Sequence, residues 1–197
     1  MKPRVFRTMP AFVFGWIWMA FAAANMVDLI VRGRDLAAAI AAAALLLGSG
    51  VAYVVGLRPR VVAAADGIRV HNPLYDIRVP WPAIDKIETT DALEIYSGER
   101  SFRAWALQAP PRARARAEAR ARRGRDGAPV PAHVHDYVKG RLPADFAAEQ
   151  LTEMAGERHA ADKDGATAQM SVSLPAVAAL VLPAVLLASS ILVAALT

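Results

Sequence analysis

The chain of 197 residues contains no cysteine. Disulfide frameworks, thiolate nucleophiles and cysteine-ligated zinc sites are excluded on that ground alone. Histidine is scarce, with four residues, and none stands in a promising pattern. His133 and His135 beside Asp136 cannot share a helical face at that spacing and have no third ligand nearby, so this stretch reads as a solvated linker. His71 falls on the polar face of a strand and His159 in a polar tail, neither with the serine and carboxylate neighbours of a triad. Glycine-rich phosphate loops, G-x-S-x-G elbows and carboxylate pairs at catalytic spacing are missing too. The expectation is a protein that is not an enzyme and holds no metal or cofactor.

What the chain has in quantity is apolar surface. It is 55% hydrophobic with a mean hydropathy of +0.28, too apolar for one ordinary soluble domain, which points to membrane spans. Residues 11–31 are apolar apart from Asn25 and Asp28 and long enough to cross a bilayer. After the polar turn Arg32-Gly33-Arg34-Asp35, residues 36–57 form a second such stretch, and residues 174–196 a third with Pro183 inside it. A basic start followed by Ala22-Ala23-Ala24 also mimics a secretory signal peptide, but the apolar stretch runs on and a second span follows. Ala41, Ala44, Gly48 and Ala52 recur at steps of three or four residues, which permits close helix contact and homo-oligomer formation.

The formal charge is +5 and the isoelectric point about 10.0. Lys2, Arg4 and Arg7 precede the first span, Arg58 and Arg60 follow the second, and Arg32 and Arg34 occupy the turn between. This balance predicts a multi-pass inner (plasma) membrane protein with its N-terminus and the block after the second span in the cytoplasm.

That block, residues 60–107, is the one part with strand periodicity. Ile68 and Val70 alternate with Arg69 and His71; Tyr75, Ile77, Val79 and Trp81 share a face opposite Asp76 and Arg78; Leu93 and Ile95 repeat the pattern. Period-two alternation implies a sheet with one buried and one wet face. Asp66-Gly67, Asn72-Pro73 and Ser97-Gly98 are turn signals. Pro80 and Pro82 around Trp81 take the chain out of the sheet, because proline cannot donate to a ladder. Five to seven short strands read as a small antiparallel sandwich or barrel.

The turn at Asp66-Gly67-Ile68, followed by Val79-Pro80-Trp81 with Ile84 three residues on and then a strand, a polar hairpin tip and another strand, resembles the bacterial pleckstrin-homology-like (PH-like) domain of small actinobacterial membrane proteins, of the low-molecular-weight antigen 6 type. Asp66, Gly67, Pro80, Trp81 and Ile84 carry that signature. The resemblance implies a seven-stranded barrel-like sandwich closed by a C-terminal helix, and no catalysis. PH domains that bind phosphoinositides use basic residues around the first strand–strand loop. The matching loop here, residues 63–67, holds one acid and no base, so that site is not carried over.

The fold class expected is thus an α+β membrane protein: an N-terminal transmembrane hairpin (1–57), a small antiparallel β PH-like sandwich or barrel with a C-terminal helix (58–123), a linker with a short amphipathic helix at 143–158 (124–173) and a single C-terminal transmembrane helix (174–197). The capping helix would be the Arg/Ala-rich run 112–123, whose packing face is alanine only. In the amphipathic helix, Phe146, Ala147, Leu151 and Met154 fall at helical spacing, and residues 158–173 read as a polar flexible tail. Arg112, Arg114, Arg116, Arg120, Arg122 and Arg123 are candidates for contact with anionic lipid, since a membrane-tethered polybasic segment gains about 1 kcal/mol per charge from acidic headgroups. No aromatic or base-reading group is interleaved among them, which argues against nucleic acid. The function expected is presentation of the β module to a protein partner or to anionic lipid. The competing idea is a small transporter or channel accessory in which Asn25, Asp28 and the proline at 183 matter most. Against it, Asp28 lies one turn from Arg32 and is placed to pair with it.

Overall fold

The structure is a computed structural model, and it describes residues 3–108, 112, 115–116, 143–156 and 167–196. Contacts divide the chain into two compact units: residues 1–7, 60–71 and 77–170 form one, and residues 8–59, 72–76 and 171–197 the other.

The first unit is built on strands. β1 (Arg4–Phe6), β2 (Arg60–Ala63), β3 (Gly67–His71), β4 (Tyr75–Pro80) and β8 (Gln169–Val172) make a five-stranded sheet in the order β1-β2-β3-β4-β8; β5 (Lys86–Thr89), β6 (Ala92–Ser97) and β7 (Arg100–Gln108) make a three-stranded one. The expected alternation is present: Ile68, Val70, Ile77, Val79, Leu93 and Ile95 are buried while Arg69 and Arg78 are exposed. Tyr75 departs from its predicted face and is 38% exposed. Ser97-Gly98 makes the expected tight hairpin, with Ser97 opposite Arg100 and Gly98 at φ +59°, a conformation that glycine adopts without cost.

Three elements differ from the sequence reading. The basic leader contains β1, whose Val5 pairs with Val62 and Phe6 with Val61. The polar tail contains β8, the last strand of its sheet. The helix that covers the core is α3 (Pro143–Gly156), which packs on β5, β6 and β7 through buried Ala144, Ala147, Leu151 and Met154. The sequence reading places this helix in a linker and gives the lid to the Arg/Ala run 112–123, of which only residues 112, 115 and 116 are described. Phe146, assigned to the apolar face, points away and is 49% exposed. Leu151, by contrast, is fully buried, and a leucine at the centre of such a face supplies far more apolar area than an alanine strip.

The second unit is helical. α1 (Met9–Arg32) and α2 (Leu36–Ala52), the latter continued by a π-helical turn over Tyr53–Leu57, form a hairpin, and α4 (Leu174–Leu196) packs on α2. Asp35 caps α2 by accepting from the Ala38 N–H at 2.9 Å, the usual use of an aspartate at a helix start. All three helices are long and apolar enough to cross a membrane. The expected small-residue stripe packs only in its later part. Ala41 and Ala44 are exposed, whereas Gly48 lies under the Trp18 ring and Gly50 under the Ala179 carbonyl.

Candidate functional site

The β2–β3 turn and the end of β4 meet at one corner of the first unit, and the corner is assembled from the signature residues. Gly67 adopts φ +153°, and a Cβ there would strike the Val79 carbonyl and reach the Pro80 Cα at 2.7 Å. Only a residue without a side chain lets the two segments approach this closely. Pro80 ends β4 and a single 3₁₀ turn (Trp81–Ala83) follows. That turn drops Trp81 into the core at 3% exposure, where its indole N–H donates to the Ala64 carbonyl at 3.0 Å. A buried tryptophan needs such a partner for its one polar atom. Ile84, also 3% exposed, joins the same core, and its backbone N–H bonds the Trp81 carbonyl.

Asp66 closes the corner on the solvent side. It pairs with Arg69 at 3.1 Å and with Arg78 on the neighbouring strand. The hydrogen bond from Arg69 leads the causes that hold its carboxyl below the usual aspartate range. Arg69 and Arg78 are thereby engaged with an acid of their own domain, so this loop does not offer the unpaired basic cluster that a phosphorylated headgroup requires. On the other sheet, Lys86 is raised chiefly by its hydrogen bond with Glu88, and Tyr96 chiefly by its bond to Glu94. These are surface pairs of small energetic weight.

Of the candidate lipid-binding arginines, Arg112 and Arg116 are exposed; Arg114, Arg120, Arg122 and Arg123 lie outside the described residues, as does the His133–Asp136 stretch. Among the described residues, no cluster of three histidine, aspartate or glutamate side chains is placed to hold a metal ion.

The family comparison bears on the β block. Residues 58–144 match the family model of the bacterial PH domain. This block is a bacterial PH-like domain. The match reaches past the Arg/Ala run to the first turn of α3, the helix that closes the PH-like core. PH domains are a family of non-catalytic modules, and the corner of Asp66, Gly67, Pro80, Trp81 and Ile84 has the character of a structural joint rather than a reaction centre. No curated protein and no solved structure matches the chain.

In the helical unit, Asn25 donates to the Phe21 carbonyl one turn back at 2.8 Å. Asp28 pairs with Arg32 at 3.1 Å with both side chains exposed. Asn25 and Asp28 are thus both engaged by groups of their own helix.

One polar arrangement escaped sequence reasoning. Arg58, counted there as a flanking charge, is 8% exposed. Its Nη2 donates to both carboxylate oxygens of Asp76 at 2.7 Å, and its Nη1 to the Pro73 carbonyl at 3.4 Å. The only signal available was an arginine directly after a span and an acid two strands later, which is too common a pair to single out.

Proposed function

We propose that this chain is a multi-pass membrane protein that holds a PH-like domain at the cytoplasmic surface for non-catalytic contact with a protein partner or anionic lipid. The observation that carries the reading is the combination in one chain of a non-catalytic module at residues 58–144 with three helices of spanning length and hydropathy. Pairing of β1 with β2 puts the residues before α1 and those after α2 on one side of any bilayer that the hairpin crosses. The excess of Lys2, Arg4, Arg7, Arg58 and Arg60 over the turn supports the cytoplasm as that side.

Recruitment is the mechanism this arrangement supports. β7 is outermost in its sheet and carries Trp105, 48% exposed, so an extended peptide adding along it would gain main-chain hydrogen bonds and an aromatic contact. The segment holding Arg112, Arg114, Arg116, Arg120, Arg122 and Arg123 would lie against acidic headgroups.

Photocross-linking in native membranes tests the reading. A photoreactive residue at position 105 of the full chain is expected to capture a protein, and the adduct is expected to vanish when Trp81→Ala disrupts the domain; an adduct pattern indifferent to Trp81→Ala would refute recruitment by the folded module. For the lipid arm, thiol labelling of Arg116→Cys is expected to be slower in anionic than in neutral proteoliposomes, with the difference erased at high salt. Equal rates at low salt would remove lipid contact from the proposal.

A further inference from the structure

The turn after β3 together with the first two residues of β4, residues 72–76, groups with the helices. Two tethers account for this. Arg58 directly follows the last residue of the second candidate span, Leu36–Leu57, and grips the turn through Asp76 and the Pro73 carbonyl. Ser173 directly precedes the first residue of the third, Leu174–Leu196, and its backbone N–H donates to the Leu74 carbonyl at 2.9 Å. The same serine starts that helix, since its carbonyl accepts from the Val177 N–H at 3.0 Å. The turn is therefore bonded to the residues that mark where two spans begin and end.

Its own chemistry suits that level. The polar groups are engaged: Asn72 is 1% exposed, its backbone N–H donates to the Tyr75 carbonyl at 2.9 Å, and the Asp76 charge, its side chain 35% exposed, is met by Arg58. What the turn presents outward is apolar, with Leu74 43% and Tyr75 38% exposed, beside Val172 at 68% and Leu174 at 77%. A leucine and a tyrosine free of uncompensated charge, held at the depth where spans meet headgroups, match the apolar-body and polar-tip residues favoured at the membrane interface. The turn lies at the opposite end of β3 from the Asp66-Gly67 loop, so it is separate from the loop compared above with phosphoinositide sites.

We propose that Leu74 and Tyr75 are seated in the interfacial layer of the bilayer, a lipid contact additional to the three helices. Arg58 and Ser173 hold the turn there. This rests on the helices crossing a bilayer, and the test separates the two claims.

Because the chain has no cysteine, single-cysteine variants of the full protein take a nitroxide label at one site each. Leu74→Cys, Tyr75→Cys, Glu99→Cys at the hairpin tip and Leu182→Cys within α4 would be reconstituted in phosphatidylcholine–phosphatidylglycerol vesicles. Collision with oxygen, which concentrates in the hydrocarbon, is then compared with collision with a water-soluble nickel chelate. The expected result is oxygen dominance at 182, nickel dominance at 99, and at 74 and 75 a several-fold drop in nickel collision relative to 99 together with raised oxygen collision. Oxygen dominance at 182 with 74 and 75 indistinguishable from 99 would overturn the interfacial contact and leave the spans intact. Shielding of 74 and 75 from both reagents would also overturn it, since a protein surface would then cover the turn. Nickel dominance at 182 would overturn the spanning arrangement and the proposal with it.

Discussion

In the PH-like unit the buried side chains include Ile68, Ile77, Leu93, Ile95, Leu107 and Leu151; within the helices of the other unit the buried residues are Gly15, Ala22, Ala43, Gly50, Val54 and Ala176. Large apolar residues of the helices such as Phe14, Ile30, Leu182 and Leu192 are more than half exposed. One unit hides its bulk and the other displays it. In water, removal of large apolar side chains from solvent drives packing. Between helices in lipid that drive is absent, and close approach of small residues takes its place. The contrast is the one expected of a unit packed in water and of helices long and apolar enough to cross a membrane, and a substitution that matters in one has little reason to matter in the other.

The largest test of this contrast is Trp81→Ala. It empties a buried aromatic site and orphans the Ala64 carbonyl, at an expected cost of about 3–5 kcal/mol. Denaturant titration should show the PH-like unit melting early while the helices keep their far-ultraviolet signal. Simultaneous loss of both would mean that the units are one cooperative body. A smaller effect is expected from Gly50→Val, whose added atoms meet the Ala179 carbonyl. Overpacking of about 1–3 kcal/mol should separate α2 from α4, seen as loss of a disulfide between cysteines engineered on the two helices, with the Trp81 environment unchanged.

Smallest is the acid response of Asp66. Its folded pKa is lowered, so its contribution to stability is complete above the unfolded value of 3.8 and fades as pH falls through the folded one. The carboxylate is partly solvated, at 37% exposure, which limits the gain to at most about 1 kcal/mol. Asp66→Asn is expected to lower the melting point of the PH-like unit slightly at neutral pH, with the difference from the parent narrowing as the pH drops below 3.8. A gap that widens on acidification would reverse the sign of this argument.

Legibility in the sequence followed the same division. The inner strands were readable because alternation of Ile68, Arg69 and Val70 reports two faces directly. The corner was readable because Gly67 and the Pro80–Trp81 step are chemically unusual in a strand. Edge strands β1 and β8 were not, since three or four residues carry too little pattern and owe their conformation to the ladder groups of β2 and β4. α3 announced an apolar face through Ala147, Leu151 and Met154, but no local signal said which sheet it would cover. The clamp of Arg58 on Asp76 was hidden for a related reason: the partners are 18 residues apart, and only the fold brings them together.

β1 has a consequence for how the molecule is made. Arg4 finds its partner in Ala63 and Phe6 in Val61, beyond the whole helical hairpin. In a chain whose α1 and α2 enter a bilayer, β1 waits without its β2 partner until both helices have left the ribosome and been delivered into lipid. Completion of the sheet is in that sense a receipt for insertion. A molecule whose hairpin stalls on the wrong side keeps a raw strand edge, the feature that protein quality control and aggregation both find first.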